Sequence, residues 1–120
     1  MSAAVHAWLA DRSADVPASL AQRMTDATKD VATTRDVTPR DVATSPDASV
    51  ADILGEAALV CLRAAMPRCD ERAAALDLLA ADALITYACE AAADDDDPTA
   101  LDALCARYTT ARLATEAAAT

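Results

Sequence analysis

The sequence predicts an all-α protein, and three observations support this prediction. Glycine occurs only once in 120 residues, at Gly55, which nearly excludes the tight β-hairpins that depend on glycine. The β-branched residues are scattered and do not alternate as they would along strands. The longest helical pattern runs over residues 73–93, where apolar residues recur at three- and four-residue steps. These residues are Leu76, Leu79, Ala83 and Tyr87.

Two short helices are expected at the start of the chain. Ser2 can cap a helix from Ala3 to about Arg12, and Pro17 is well placed to open a second helix that ends near Ala32. The apolar side chains of the second helix form a thin stripe, which is typical of a helix that rests on a neighbour. We therefore predict that this pair carries a partner-binding surface. Its residues are Val5, Trp8, Leu9, Leu20 and Met24.

A change in composition follows the helical pair. Residues 33–48 are rich in Thr, Asp, Pro, Arg and Ser, and Pro39 and Pro46 prevent a continuous helix there. A basic–acidic–Val–small unit recurs through this region, either as a docking motif in several copies or through replication slippage. We predict a helical pair over 1–32, a flexible linker over 33–48 and a bundle domain over 49–120.

Residues 49–117 are predicted to form a three-helix antiparallel bundle. Ser49 begins a capping box before the first helix, and Pro67 ends that helix. Asp70 can cap the second helix, and Asp97–Pro98 is a strong start signal for the third. The short loops between these helices make them antiparallel neighbours.

Two details of the bundle bear on its packing. The helix over 73–93 has a second apolar line of Leu78, Ile85 and Cys89 beside the first, so it is expected to bury most of its circumference. Its remaining polar strip consists of Asp82, Thr86 and Glu90. Gly55 lies mid-helix, where glycine costs about 1 kcal/mol relative to alanine, so we expect a neighbouring helix to approach closely there.

The charge of the chain limits its partners and its location. The formal net charge is −10, and an acidic surface repels phosphate backbones, so we expect no nucleic-acid binding. No window approaches 18 uncharged apolar residues, so we expect no membrane span. The first residues lack a basic region followed by an apolar run, which argues against a signal peptide. We expect a cytoplasmic protein with reduced thiols.

The sequence offers few candidates for chemistry. The four cysteines lack the close pairs of zinc modules, and the single histidine, His6, cannot form a multi-histidine site. Cys69 lies in a turn beside Arg68 and near Arg72, where a thiolate is favoured, so it is the candidate redox residue. A run of carboxylates could attract Mg²⁺ or Ca²⁺, although helix capping and solubility are the simpler explanation. These candidate metal ligands are Asp94, Asp95, Asp96 and Asp97.

Composition favours a non-catalytic role. Hydrophobic residues make up 54% of the chain, but alanine dominates them and aromatic residues reach only 2%. At about 25 cal/mol per Å² of apolar area, such a core is marginal when it stands alone. We expect a helical interaction or accessory protein, without a cofactor, that docks on a protein partner or self-associates through Ala/Leu-rich faces. The alternative is a small metal-dependent or thiol-dependent enzyme or helper that uses the acidic run over 94–97 and Cys69.

Overall fold

The all-α prediction is confirmed. The computed structural model describes the backbone of residues 3–37 and 49–118, and these residues contain helices and turns but no strand. The helices pack as a bundle. In chain order they are α1 (Ala3–Arg12), α2 (Ala18–Val37), α3 (Val50–Ala65), α4 (Ala74–Ala93), α5 (Ala100–Arg107) and α6 (Thr110–Ala118), with a 3-10 turn (Met66–Arg68) after α3.

Two helix ends differ from the predicted ones. Helix α2 continues to Val37, so the first residues of the predicted linker are helical. The rest of that linker, including both of its prolines, lies outside the described residues. The predicted last helix is two helices, because the backbone leaves the helical region at Tyr108, with φ −112° and ψ 52°.

Helix starts follow local capping chemistry in one case and depart from it in two. Ser49 caps α3 as predicted, and its Oγ accepts a hydrogen bond of 3.1 Å from the backbone N–H of Asp52. Helix α4 begins after Ala73, which provides no side-chain cap, instead of after Asp70. Helix α5 begins after Thr99, and the carboxylate of Asp97 accepts hydrogen bonds from the backbone N–H and hydroxyl of Thr99.

The bundle includes a helix of the N-terminal pair in addition to the predicted helices. Helices α3 and α4 make the most extensive contact, and the third helix that packs on both of them is α2. The predicted third helix, now α5 and α6, makes smaller contacts at the side of this core. The N-terminal pair therefore packs on the bundle and contributes to its core. Its buried apolar residues are Val5, Leu9, Met24, Ala27 and Val31.

Small side chains line most of the contact between α3 and α4. Alanine fills many fully buried positions there, such as Ala57, Ala80 and Ala88. Alanine buries little area, so a few larger side chains supply most of the apolar burial at about 25 cal/mol per Å². The large fully buried apolar side chains are Met24, Leu54, Leu59, Leu84 and Val5, and two of these five come from the N-terminal pair.

One buried carboxylate ties three parts of the chain together. Asp77 of α4 is 8% exposed and accepts a hydrogen bond of 2.5 Å from Arg23 of α2. Its second oxygen accepts a bond of 2.8 Å from Arg68 in the 3-10 turn. Two cations on one carboxylate offset the free energy lost when that charge leaves water. This cluster fixes α2 across the end of the α3–α4 pair.

Helix α1 is held by aromatic and ionic contacts at the other end of α4. The rings of Trp8 and Tyr87 meet edge to face, with their centroids 6.0 Å apart. The guanidinium of Arg12 lies 5.0 Å from the centroid of the Trp8 ring and 3.2 Å from a carboxylate oxygen of Asp94. The ring of Trp8 therefore packs against other residues of the same chain.

The single glycine makes room for an aromatic ring. Gly55 has no positive φ, so its backbone conformation does not require glycine. A Cβ at this position would lie 2.6 Å from Cε2 of Tyr108 and 2.7 Å from its Cζ. The hydroxyl of Tyr108 donates a hydrogen bond to Glu56. Burial is the larger cause of the raised pKa of Tyr108, and this hydrogen bond is the second cause. The predicted close approach at Gly55 is thus made by a side chain from the end of α5.

We expect Gly55→Ala to lower the free energy of unfolding by about 1 kcal/mol. Over-packing costs about 1–3 kcal/mol, which outweighs the gain of about 1 kcal/mol in helix propensity. Chemical denaturation measures the difference. In a Tyr108→Leu background the ring is absent, so the same substitution is expected to stabilise the protein by up to about 1 kcal/mol. A stabilising Gly55→Ala in the wild-type background would contradict this account.

Candidate binding groove

An apolar groove lies where α3, α4 and α6 meet. Its volume is about 230 Å³. Helix α4 supplies four of its lining residues, helix α3 supplies two and helix α6 supplies one. The lining residues are Ala58, Leu62, Leu78, Ala81, Asp82, Ile85 and Leu113.

The pattern of α4 explains why this groove is apolar. Leu78, Ala81 and Ile85 recur at steps of three and four, so they share one edge of the helix. The opposite edge carries Tyr87, which Trp8 covers. No comparable aromatic residue covers the first edge among the described residues, and Leu78 remains 39% exposed.

Helix α4 also places a large apolar residue on its outer face. Leu79 is 56% exposed, although the sequence pattern assigned it to the inward line with Leu76. It is instead adjacent to the polar strip that contains Asp82. Leu78 and Leu79 are the exposed large hydrophobic residues of the described chain, and they are adjacent in sequence.

The groove is small and its lining is almost entirely apolar. Pockets for small molecules usually measure about 300–1,000 Å³ and contain a few convergent polar groups. This groove is smaller, and Asp82 is the one lining residue with a polar side chain. No described side chain forms a hydrogen bond or ion pair with the Asp82 carboxylate. The groove is therefore suited to apolar side chains of another molecule, and the carboxylate of Asp82 forms its polar part, called the lip below.

A second, smaller depression of about 100 Å³ lies between the start of α3 and the end of α5. It is lined by Asp52, Asp95 and Arg107 among others. Arg107 donates to Asp52, so its charge is already paired within the chain. This depression therefore contains an ion pair that joins α5 to α3.

The residues predicted to bind a partner through the N-terminal pair are mostly internal. Val5, Leu9 and Met24 are buried in the core and present no surface to another molecule. Trp8 and Leu20 are half-buried and pack against the same core. Partner binding through Trp8 and Leu20 stays a prediction, and the apolar area of the other three residues is already covered within the core.

Three of the four candidate metal ligands are engaged in different local contacts. Asp94 pairs with Arg12, Asp95 accepts a hydrogen bond from the backbone N–H of Asp97, and Asp97 accepts from Thr99. The bonds from Thr99 lower the pKa of Asp97. No group of three or more metal-ligating side chains converges among the described residues, so the structure does not bring these four carboxylates together.

The cysteines are spread over the fold as free thiols. Cys69, the redox candidate, is exposed, but the neighbouring guanidinium of Arg68 is bound to Asp77. Cys61 is buried, and burial raises the pKa of its thiol to about 11, which keeps it protonated. Burial also raises the pKa of Cys89, and the charge of Cys105 raises it further.

Comparisons with known proteins give no relative for this chain. No family model, curated protein or solved structure matches it. The described helices include none with the length and apolar character needed to cross a membrane.

The groove over α3, α4 and α6 was not predicted, because periodicity locates apolar edges without showing which edge other helices cover.

Proposed function

We propose that this protein is a non-catalytic interaction module that binds a protein partner through the groove of α3, α4 and α6. The observation that carries the proposal is the exposure of Leu78 and Leu79 beside an apolar groove. Complete burial of an exposed leucine contributes about 1.5–3 kcal/mol, so a partner that covers the remaining 39% of Leu78 and 56% of Leu79 gains about 0.6–1.7 kcal/mol from each. The surface therefore gives a partner a well-defined gain in free energy.

The side chains that line the groove support this proposal over an enzymatic role. Nucleophilic catalysis needs a nucleophile within hydrogen-bond reach of a base, and substrate sites usually contain a few convergent polar groups. The lining offers the carboxylate of Asp82 and otherwise apolar side chains. The alternative of a metal-dependent or thiol-dependent helper would have to use Cys69 and the run over 94–97, in which three of the carboxylates make separate contacts within the chain.

The proposal predicts that Leu79→Asp weakens partner binding at least tenfold. The substitution places a charge on the exposed apolar surface, and a tenfold loss corresponds to about 1.4 kcal/mol. Ala106→Asp, at an exposed position on α5, is the matched control and is expected to leave binding unchanged. Affinity capture from the native host, followed by titration of the captured protein with all three chains, measures the effect.

Light scattering of the purified chain separates the two kinds of partner. A monomer that binds the captured protein supports a partner of different sequence. A dimer that Leu79→Asp disperses and Ala106→Asp preserves would show that the partner is a second copy. Loss of binding that is equal for both substitutions, or a captured protein that neither affects, would count against the groove as the binding surface.

A further inference from the structure

We infer that the groove takes an amphipathic helix with a cationic side chain beside its apolar anchors. This inference rests on the proposed function and adds the chemistry of the partner. A helix that lies in a groove inserts side chains spaced at three and four residues, which is the same spacing as Leu78, Ala81 and Ile85 on the groove wall. The volume of about 230 Å³ accommodates a few such side chains.

The carboxylate of Asp82 determines the charge of the partner. Asp82 lines the groove one turn from Leu78, and no described side chain pairs with its carboxylate. In the free protein, water solvates this exposed carboxylate. A partner that covers the groove removes part of this water, and a carboxylate that loses water without gaining a partner opposes binding. An occupant that brings a lysine or arginine to this lip avoids that loss.

A second copy of this chain is a poor source of that cation. Its net charge of −10 makes two copies repel each other. Many of its guanidinium groups are also paired within the chain, so a second copy would have to break an internal contact to offer one of them. These pairs are Arg12 with Asp94, Arg23 and Arg68 with Asp77, Arg107 with Asp52, and Arg112 with Glu56.

Two synthetic peptides of opposite charge test the inference. Both contain about 18 residues, long enough to form helix on binding, with leucine at i, i+3, i+4 and i+7. One has lysine and the other glutamate at the remaining positions. Fluorescence anisotropy of the labelled peptides with the complete protein measures each Kd at about 0.1 M salt. We expect the lysine peptide to bind at least tenfold more tightly than the glutamate peptide.

Matched charge deletions distinguish the groove from general attraction to an acidic protein. Asp82→Asn is expected to weaken binding of the lysine peptide about threefold, in line with the loss of one partly exposed ion pair. Asp102→Asn removes the same charge from an exposed position on α5, outside the groove lining, and is expected to change Kd by less than about 1.5-fold. Leu79→Asp is expected to weaken binding at least tenfold, as for the natural partner.

The outcomes separate this inference from the proposed function. Equal binding of both peptides, or equal effects of Asp82→Asn and Asp102→Asn, would overturn the cationic partner. If Leu79→Asp still weakened binding in that case, the groove would remain a binding site for an uncharged or acidic helix. Failure of both peptides to bind would overturn the amphipathic-helix occupant, and the capture experiment would then decide the proposed function independently.

Discussion

Met24→Ala is expected to lower the free energy of unfolding of the whole chain by about 3 kcal/mol. Met24 of α2 is fully buried against α3 and α4, and truncation of a buried methionine to alanine costs about 2–5 kcal/mol. The loss includes the cavity that remains, because a core of closely packed alanines relaxes only partially around it. Denaturant unfolding followed by circular dichroism gives the value, with one transition expected for all the helices.

This experiment tests whether the N-terminal pair is part of the core. Leu79→Ala removes a large side chain from an exposed position and is the matched control, with an expected change within about 0.5 kcal/mol. If the pair were separate from the bundle, Met24→Ala would leave the main transition unchanged. That result would contradict the packing of α2 on α3 and α4.

Asp77→Ala is expected to destabilise the protein by about 2–3 kcal/mol. Removal of one partner from a buried ion pair typically costs about 3–5 kcal/mol, because the other charge stays behind without compensation. The side chain of Arg23 is 21% exposed and that of Arg68 is 42% exposed, so water recovers part of this loss and we place the effect below that range.

Two further variants show whether the effect comes from the buried cluster. Asp82→Ala removes a carboxylate from an exposed position of the same helix, and its expected change is within about 0.5 kcal/mol. Arg68→Ala removes the more exposed of the two cations and is expected to cost about 0.5–1 kcal/mol. Equal losses for Asp77→Ala and Asp82→Ala would mean that the cluster contributes nothing beyond ordinary helix effects.

Local signals predicted much of the secondary structure. The cap at Ser49 depends on a bond to a residue three positions away, so the sequence around it was sufficient to predict it. The stripe of α2, with Met24 and Val31, was read as a helix that rests on a neighbour, and it does so. The break at Tyr108 was missed, since its ring lies against Gly55 of α3 and nothing adjacent in sequence indicates that contact.

Long-range packing determined the features that sequence patterns could not predict. Asp77 lies 54 residues from Arg23, and no periodicity links the two. The exposure of Leu78 depends on where α1 packs, because Trp8 of α1 covers the Tyr87 edge of α4 and the edge with Leu78 remains part of the groove lining. The candidate site is thus the part of the apolar surface that remains after the chain has folded.

The sharing of the core between the two ends of the chain also affects how the protein can be divided. A shortened chain that begins at Ser49 would lack Met24, Val5 and Leu9, and Asp77 would lose Arg23. The apolar surfaces of α3 and α4 that the N-terminal pair covers would then be exposed. They would bind molecules non-specifically that do not bind the complete protein. A binding experiment with such a fragment would therefore identify molecules that bind a surface which is buried in the complete protein.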